Sequence, residues 1–139
     1  MTSLVLDAAA TLAAVLPERH SEAARTILLR VAESGAVVPA IWHLEVGNIL
    51  LAAERRGILL AAQRKEILER LSVLPITTDQ ETAPRAWSDT IGLARDYGLS
   101  LHDAAYLELA LRRRVPLATF DAVLLRAAEA VGMRSGSAG

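Results

Sequence analysis

Four short runs rich in β-forming residues, at 3–6, 36–39, 73–77 and 115–119, are spaced along the chain by longer segments whose apolar residues recur at helical period. Strands that alternate with helices favour a parallel sheet, because each helix carries the chain back to the end where the previous strand began. Helices then cover both faces of that sheet. The expected architecture is therefore a three-layer α/β/α domain around a small, mainly parallel sheet. An Ala-rich helix follows Asp7 and ends near Pro17. Residues 21–34 form an amphipathic helix with Ala24, Ile27, Leu28 and Val31 on one stripe, stopped by Gly35. Helices are expected at 40–56, closed by Gly57, and at 60–71. The next spans 82–97, with Pro84 tolerated in its first turn and Gly98 behind it. A further helix runs from Ser100 to the cluster Arg112, Arg113 and Arg114, and another from Asp121 to Ala130, with a last edge strand at 131–134.

At 139 residues the chain is long enough to bury a real core, which is expected to be one domain over 1–134 with a flexible tail at 135–139. Residues are 53% hydrophobic but only 4% aromatic, so that core must be built from Leu, Ile, Val and Ala. No apolar stretch approaches the roughly 18 residues that a spanning helix needs, and no basic leader opens the chain. A cytoplasmic protein with no membrane association is the expectation. The absence of cysteine excludes disulfides, thiolate zinc sites and a Cys nucleophile. A net charge of −1 argues against a general polyanion binder. Lys65 is the only lysine, and the Arg that make up the rest of the basic residues suit bidentate phosphate contacts, although codon usage accounts for the bias equally well. The high apolar content also points to surface covered by a partner or a second copy.

Four acids stand where burial is costly unless the charge is paired, hydrogen-bonded or bound to a cation. Asp7 and Asp121 end apolar strands, at the edge where ligands bind in open α/β sheets. Glu45 interrupts an apolar helix face between Ile41, Ile49 and Ala52, and Asp103 opens the run Leu101 to Ala110. Each has a plainer role available. Asp7 and Asp121 are good helix N-caps, Ser100 and Asp103 have capping-box spacing, and Glu45 has Arg56 as a possible ion-pair partner. A capping carboxylate can still ligate with its second oxygen. Together the four read as a site for a hard divalent metal, which points to phosphoryl-transfer chemistry. Thr119 can add a hydroxyl or water-bridging contact, or be an ordinary strand residue; Asn48 can hold Glu45 or a water, or be a surface amide. Asp79 and Glu81 read as solvated loop acids and Glu108 as a salt-bridge partner. His20, His43 and His102 lack ligand spacing, and neither a Gly-rich phosphate loop nor a nucleophile elbow is present.

The segments Val5-Leu-Asp7-Ala, Pro39-Ala-Ile-Trp-His-Leu-Glu45-Val-Gly-Asn48, Leu99-Ser-Leu-His-Asp103-Ala-Ala-Tyr-Leu-Glu-Leu-Ala110 and Pro116-Leu-Ala-Thr-Phe-Asp121 resemble a PIN-domain ribonuclease, and more closely a VapC-type toxin of a toxin–antitoxin pair. The resemblance covers the chain up to its tail. It implies a PIN-like fold and a metal-dependent endoribonuclease that leaves a 5′-phosphate. Asp7, Glu45, Asp103 and Asp121 would be its acidic quartet with Thr119 beside them. Asp7 and Asp103 would be the principal ligands of Mg²⁺ or Mn²⁺, with Glu45 and Asp121 as further ligands or water orienters. Arg55, Arg56, Arg112, Arg113 and Arg114 are candidate phosphate contacts. A small antitoxin and a homodimer are the implied partners, beside the RNA substrate. One departure is Ala9, where many relatives carry Ser or Thr. It leaves room for a catalytically silent PIN-like module that binds RNA or protein, and the low positive charge leaves room for a phosphoesterase acting on another substrate.

Overall fold

The computed structural model describes residues 3–16 and 21–132. Four parallel strands form one sheet in the order β3-β2-β1-β4. These are β1 (Leu4–Leu6), β2 (Ala36–Val38), β3 (Ile76–Thr78) and β4 (Leu117–Ala118). Register runs Leu4 to Ala36, Val5 to Val37 and Leu117, and Ala36 to Ile76. The inner strand β1 is wholly apolar and wholly buried, as helices on both faces require. Edge strand β3 is only partly covered.

The helices are α1 (Ala8–Ala13), α2 (Glu22–Ser34), α3 (Trp42–Arg55), α4 (Ala61–Ser72), α5 (Thr82–Arg85), α6 (Ile91–Tyr97), α7 (Leu101–Arg113) and α8 (Ala122–Ala130). Four begin on a side chain that accepts a backbone N–H three residues on: Asp7, Ser21, Ser100 and Asp121. That satisfies one of the orphan donors of each first turn. Gly35 ends α2 at φ 82°, and a Cβ there would stand 3.2 Å from the Pro75 carbonyl oxygen, so only glycine lets β2 start so close to β3. Helix α7 is the central one. Its residues Ala104 to Ala110 are all buried, and it packs on β1, β4, α6 and α8.

The parallel α/β architecture is the one the sequence predicts, with local differences. Strand β3 begins at Ile76 rather than Val73, because α4 runs to Ser72 and Val73 closes it in helical backbone, 81% exposed. Pro75 has no N–H to donate, and its carbonyl opens the pairing by accepting from Ala36 at 3.1 Å. Helix α1 ends at Ala13, with Ala14 as its C-cap; Pro17 lies outside the described residues. The single helix expected over 82–97 is split by a π-helical turn, Ala86–Thr90, which turns Thr90 inward and leaves Trp87 88% exposed. Val131 caps α8 and Gly132 continues the turn, so the described part of 131–134 is not strand. Residues 133–134 and the tail at 135–139 lie outside the described residues.

Asp79 corrects a further expectation, since it is not a solvated loop acid but is only 2% exposed. The Arg112 guanidinium donates to both of its oxygens, at 2.9 and 2.8 Å, and also to both oxygens of Glu108, at 2.8 and 3.0 Å. Arg113 adds a longer bond to Asp79 at 3.3 Å. These bonds, Arg112 above all, hold the Asp79 carboxyl below its ordinary value. Glu108 is the ion-pair acid the sequence suggests. The cluster ties the C-terminal half of α7 to the loop after β3.

Asp79→Asn leaves Arg112 paired with Glu108 but takes away the charge-assisted bonds to Asp79. The substitution should lower the free energy of unfolding by about 2 kcal/mol at pH 7, read by urea denaturation. A carboxyl held low when folded contributes stability above its unfolded pKa and loses it as pH falls through the folded one. The gap between wild type and variant should therefore narrow below about pH 4.

Candidate functional site

Asp7 leaves the end of β1 still in register, its N–H donating to the Ala118 carbonyl at 3.2 Å. Its Oδ1 accepts the Ala10 N–H at 2.7 Å and caps α1, and the carboxylate also accepts the Thr119 hydroxyl. Only 6% of the residue is exposed. Burial raises its pKa from 3.8 to about 6; the bonds from Thr119 and Ala10 offset part of that rise, and the negative charges of Asp103 and Glu45 add to it.

Thr119 follows β4, is fully buried, and works in two directions. Its oxygen accepts the Asp121 N–H at 3.1 Å while its hydroxyl donates to Asp7. Asp121 in turn caps α8, its Oδ1 accepting the Leu124 N–H at 2.9 Å, and it stays exposed. One hydroxyl thus joins the two strand-end acids.

Asp103 stands in the first turn of α7, half-buried, with its N–H donated to Ser100 Oγ at 3.1 Å. Burial and the charge of Asp121 push its carboxyl up, against the lowering effect of Ser100 and His102. Glu45 lies in the first turn of α3 and is also half-buried. Its partner is not Arg56, which lies eleven residues further along the same helix, some 16 Å away at 1.5 Å per residue. Glu45 Oε1 instead accepts the Tyr106 hydroxyl at 2.5 Å.

Sequence reasoning alone assigns Tyr106 no role, though a signal is present. It is one of two tyrosines in the chain, set in a buried aliphatic run where its hydroxyl must find a partner. The hydroxyl donates to Glu45 with the Ala8 N–H close by; burial, the bond to Glu45 and the nearby carboxylates hold the phenol far above its ordinary pKa, so it remains a donor.

Glu45, Asn48, Ser100, His102 and Asp103 line one open groove with Ile41 and Leu44. Asn48 is exposed on its wall. Exposed apolar residues stand beside the acids: Leu44, Leu101, Phe120 and Val123. The arginines are placed differently. Arg112 is committed to Asp79 and Glu108, which removes it as a phosphate contact. Arg55 and Arg56 end α3 and Arg113 and Arg114 end α7, about 15 Å by helix rise from Glu45 and Asp103 respectively. None of the five is brought to the acids.

Among the described residues, no three Asp, Glu or His side chains converge on a single coordination point. The donor chemistry nevertheless suits Mg²⁺ or Mn²⁺. Every candidate ligand is an oxygen, the acids repel one another, and Mg²⁺ takes one or two carboxylates and keeps several waters.

The PIN domain family model matches residues 4–130. The ribonuclease VapC3 of Pyrobaculum aerophilum is 31% identical over 118 residues, 85% of this chain and 88% of that protein. Among solved structures, PAE2754 of Pyrobaculum aerophilum has a TM-score of 0.68 at 23% identity, over 91% of this chain and 79% of its own. FitAcB of Neisseria gonorrhoeae has a TM-score of 0.59 at 19% identity, over 91% and 93%. A toxin–antitoxin complex of Klebsiella pneumoniae has a TM-score of 0.57 at 20% identity, over 86% and 87%.

A carboxyl raised to about 6 favours the protonated folded state, so between its unfolded and folded pKa stability falls as pH rises. Above that window the penalty is constant, on the order of 3 kcal/mol. Asn caps a helix as well as Asp does. In EDTA at pH 7.5, Asp7→Asn should therefore melt several degrees above wild type, and the gain should shrink as pH is lowered from 6 to 4. A scanning-calorimetry series over that range checks it.

Proposed function

Because the chain belongs to the PIN-domain family, we propose that it is a divalent-metal-dependent endoribonuclease that serves as the toxin of a toxin–antitoxin pair. The observation that carries this reading is Asp7: a carboxyl buried at a strand end, charged against the repulsion of Asp103 and Glu45, and tied through Thr119 to Asp121. A structural carboxylate would be given a guanidinium there, as Asp79 is.

Asp7 and Asp103 would hold Mg²⁺ or Mn²⁺, with Glu45 and Asp121 as further ligands or as acceptors that orient the attacking water. The ion would supply an activated water and neutralise charge on the phosphodiester. Thr119 would fix Asp7 relative to the Asp121 backbone, and Asn48, one helical turn from Glu45, would hold a water. Arg55, Arg56, Arg113 and Arg114 reach only nucleotides that flank the scissile bond. The product would carry a 5′-phosphate.

The exposed apolar rim beside the acids, Leu44, Leu101, Phe120 and Val123, supports a small antitoxin that covers the groove. Two structural neighbours bear on it: one is a toxin–antitoxin complex by name, and FitAcB shares the fold. A homodimer completes the proposal. A second reading rests on Ala9, exposed in the first turn of α1, where a hydroxyl residue would stand beside Asp7. It is a PIN-like module that binds RNA or protein without cleaving it.

The test is cleavage of a panel of structured and single-stranded RNAs by purified protein with Mn²⁺, with EDTA, and with Asp103→Asn. Cleavage is expected only with the metal, and the variant should lose more than about 100-fold, beyond what loss of an outer-shell partner costs. A folded wild type that binds Mn²⁺ and RNA but leaves every RNA intact would favour the silent module.

A further inference from the structure

We propose that Tyr106 is a positioning residue for Glu45: its hydroxyl fixes which carboxylate oxygen of Glu45 faces the groove. The inference rests on the nuclease reading above and adds a residue to that site.

Glu45 is half-buried in the first turn of a helix, and its side chain has rotamers to lose before it can hold a metal or a water in one place. Tyr106 has little such freedom. The residue is 2% exposed, in a helix buried over seven consecutive residues. The Ala8 N–H, an orphan donor of the first turn of α1, lies close to the hydroxyl. The hydroxyl donates to Glu45 Oε1 at 2.5 Å. With Oε1 engaged, Oε2 is the oxygen left for the groove.

The position of Tyr106 along α7 matters too. It lies three residues after Asp103, and Ala8 directly follows Asp7. One hydroxyl therefore links the helix that carries Glu45 to the helix that carries Asp103, close to the turn that Asp7 caps. A residue that only filled the core would need no hydroxyl, and Phe would serve.

The test compares wild type, Tyr106→Phe, Glu45→Gln and the double variant, by RNA cleavage with Mn²⁺ and by calorimetric titration of Mn²⁺ alone. Tyr106→Phe should lower kcat and weaken Mn²⁺ binding by about tenfold each, as loss of an outer-shell partner does, with KM for RNA unchanged. In the double variant Tyr106→Phe should add nothing to Glu45→Gln, since the two residues act as a unit. Unchanged kcat and Mn²⁺ affinity in a folded Tyr106→Phe, or additive losses in the double variant, would overturn the assignment and leave Tyr106 a packing residue.

Should Tyr106→Phe fail to fold, the ¹³Cζ resonance of Tyr106 decides instead. It should move on titration with Mg²⁺ in wild type and stay still in Glu45→Gln; no movement in wild type overturns the proposal. A wild type that binds Mn²⁺ without cleaving RNA defeats the nuclease reading, while the Mn²⁺ affinities still decide the role of Tyr106.

Discussion

Burial of the Asp7 carboxylate at the end of an inner strand constrains everything around it. Asp7 follows β1 directly and is only 6% exposed, so its carboxylate must be satisfied mostly from within. The Ala10 N–H and the Thr119 hydroxyl donate to the carboxylate, and β4 engages the residue through the main chain. Those bonds offset the cost of burial only in part, and the carboxyl stays raised. The Asp7 carbonyl is used as well, accepting the Thr11 hydroxyl, which in turn accepts the Trp42 indole N–H at 3.2 Å. The start of α3, and Glu45 three residues on, are thereby referenced to the same strand end.

The molecule holds two groups of acids in opposite electrostatic states. Asp79 and Glu108 share the Arg112 guanidinium, and Arg113 adds a second cation at Asp79, so two carboxylates meet two arginines. Asp7 is raised by burial and by the charges of Asp103 and Glu45, and Asp103 by burial and by the charge of Asp121. A fold selected for stability alone would treat both groups alike. Keeping one of them short of cations costs stability, and such a cost is retained where a bound ion or substrate can offset it.

Much of this is legible in the chain. The alternation of strands and helices fixes a parallel sheet, a parallel sheet has one ligand-binding edge, and Asp7 and Asp121 fall on it. The caps at Asp7, Ser21, Ser100 and Asp121 follow from local chemistry, and all four form. What escapes is set by distant pairing. Nothing near Asp79 in sequence announces Arg112, thirty-three residues away, so a loop acid looks solvated and a buried guanidinium looks available for phosphate. Glu45 and Tyr106 are sixty-one residues apart, and the cation near Glu45 in sequence, Arg56, is out of its reach. The shift of β3 is different in kind. Val73 and Leu74 have strand-like side chains, but the helix before them has not yet ended, and Pro75 delays the ladder.

Helix α7 joins these two chemistries in one rigid element. Its first turn carries Asp103, its middle carries Tyr106, and its last turns carry Glu108 and Arg112. The ion cluster clamps the far end to the loop after β3, and the seven buried residues between transmit no slack. Asp103, half-buried at the start of the helix, is then positioned by packing made further along it, to which Tyr106 contributes. That division of labour explains why the acids near the groove can be left uncompensated. The helix that presents them is anchored about 14 Å away, at the other end of its length, by charges that are fully paired.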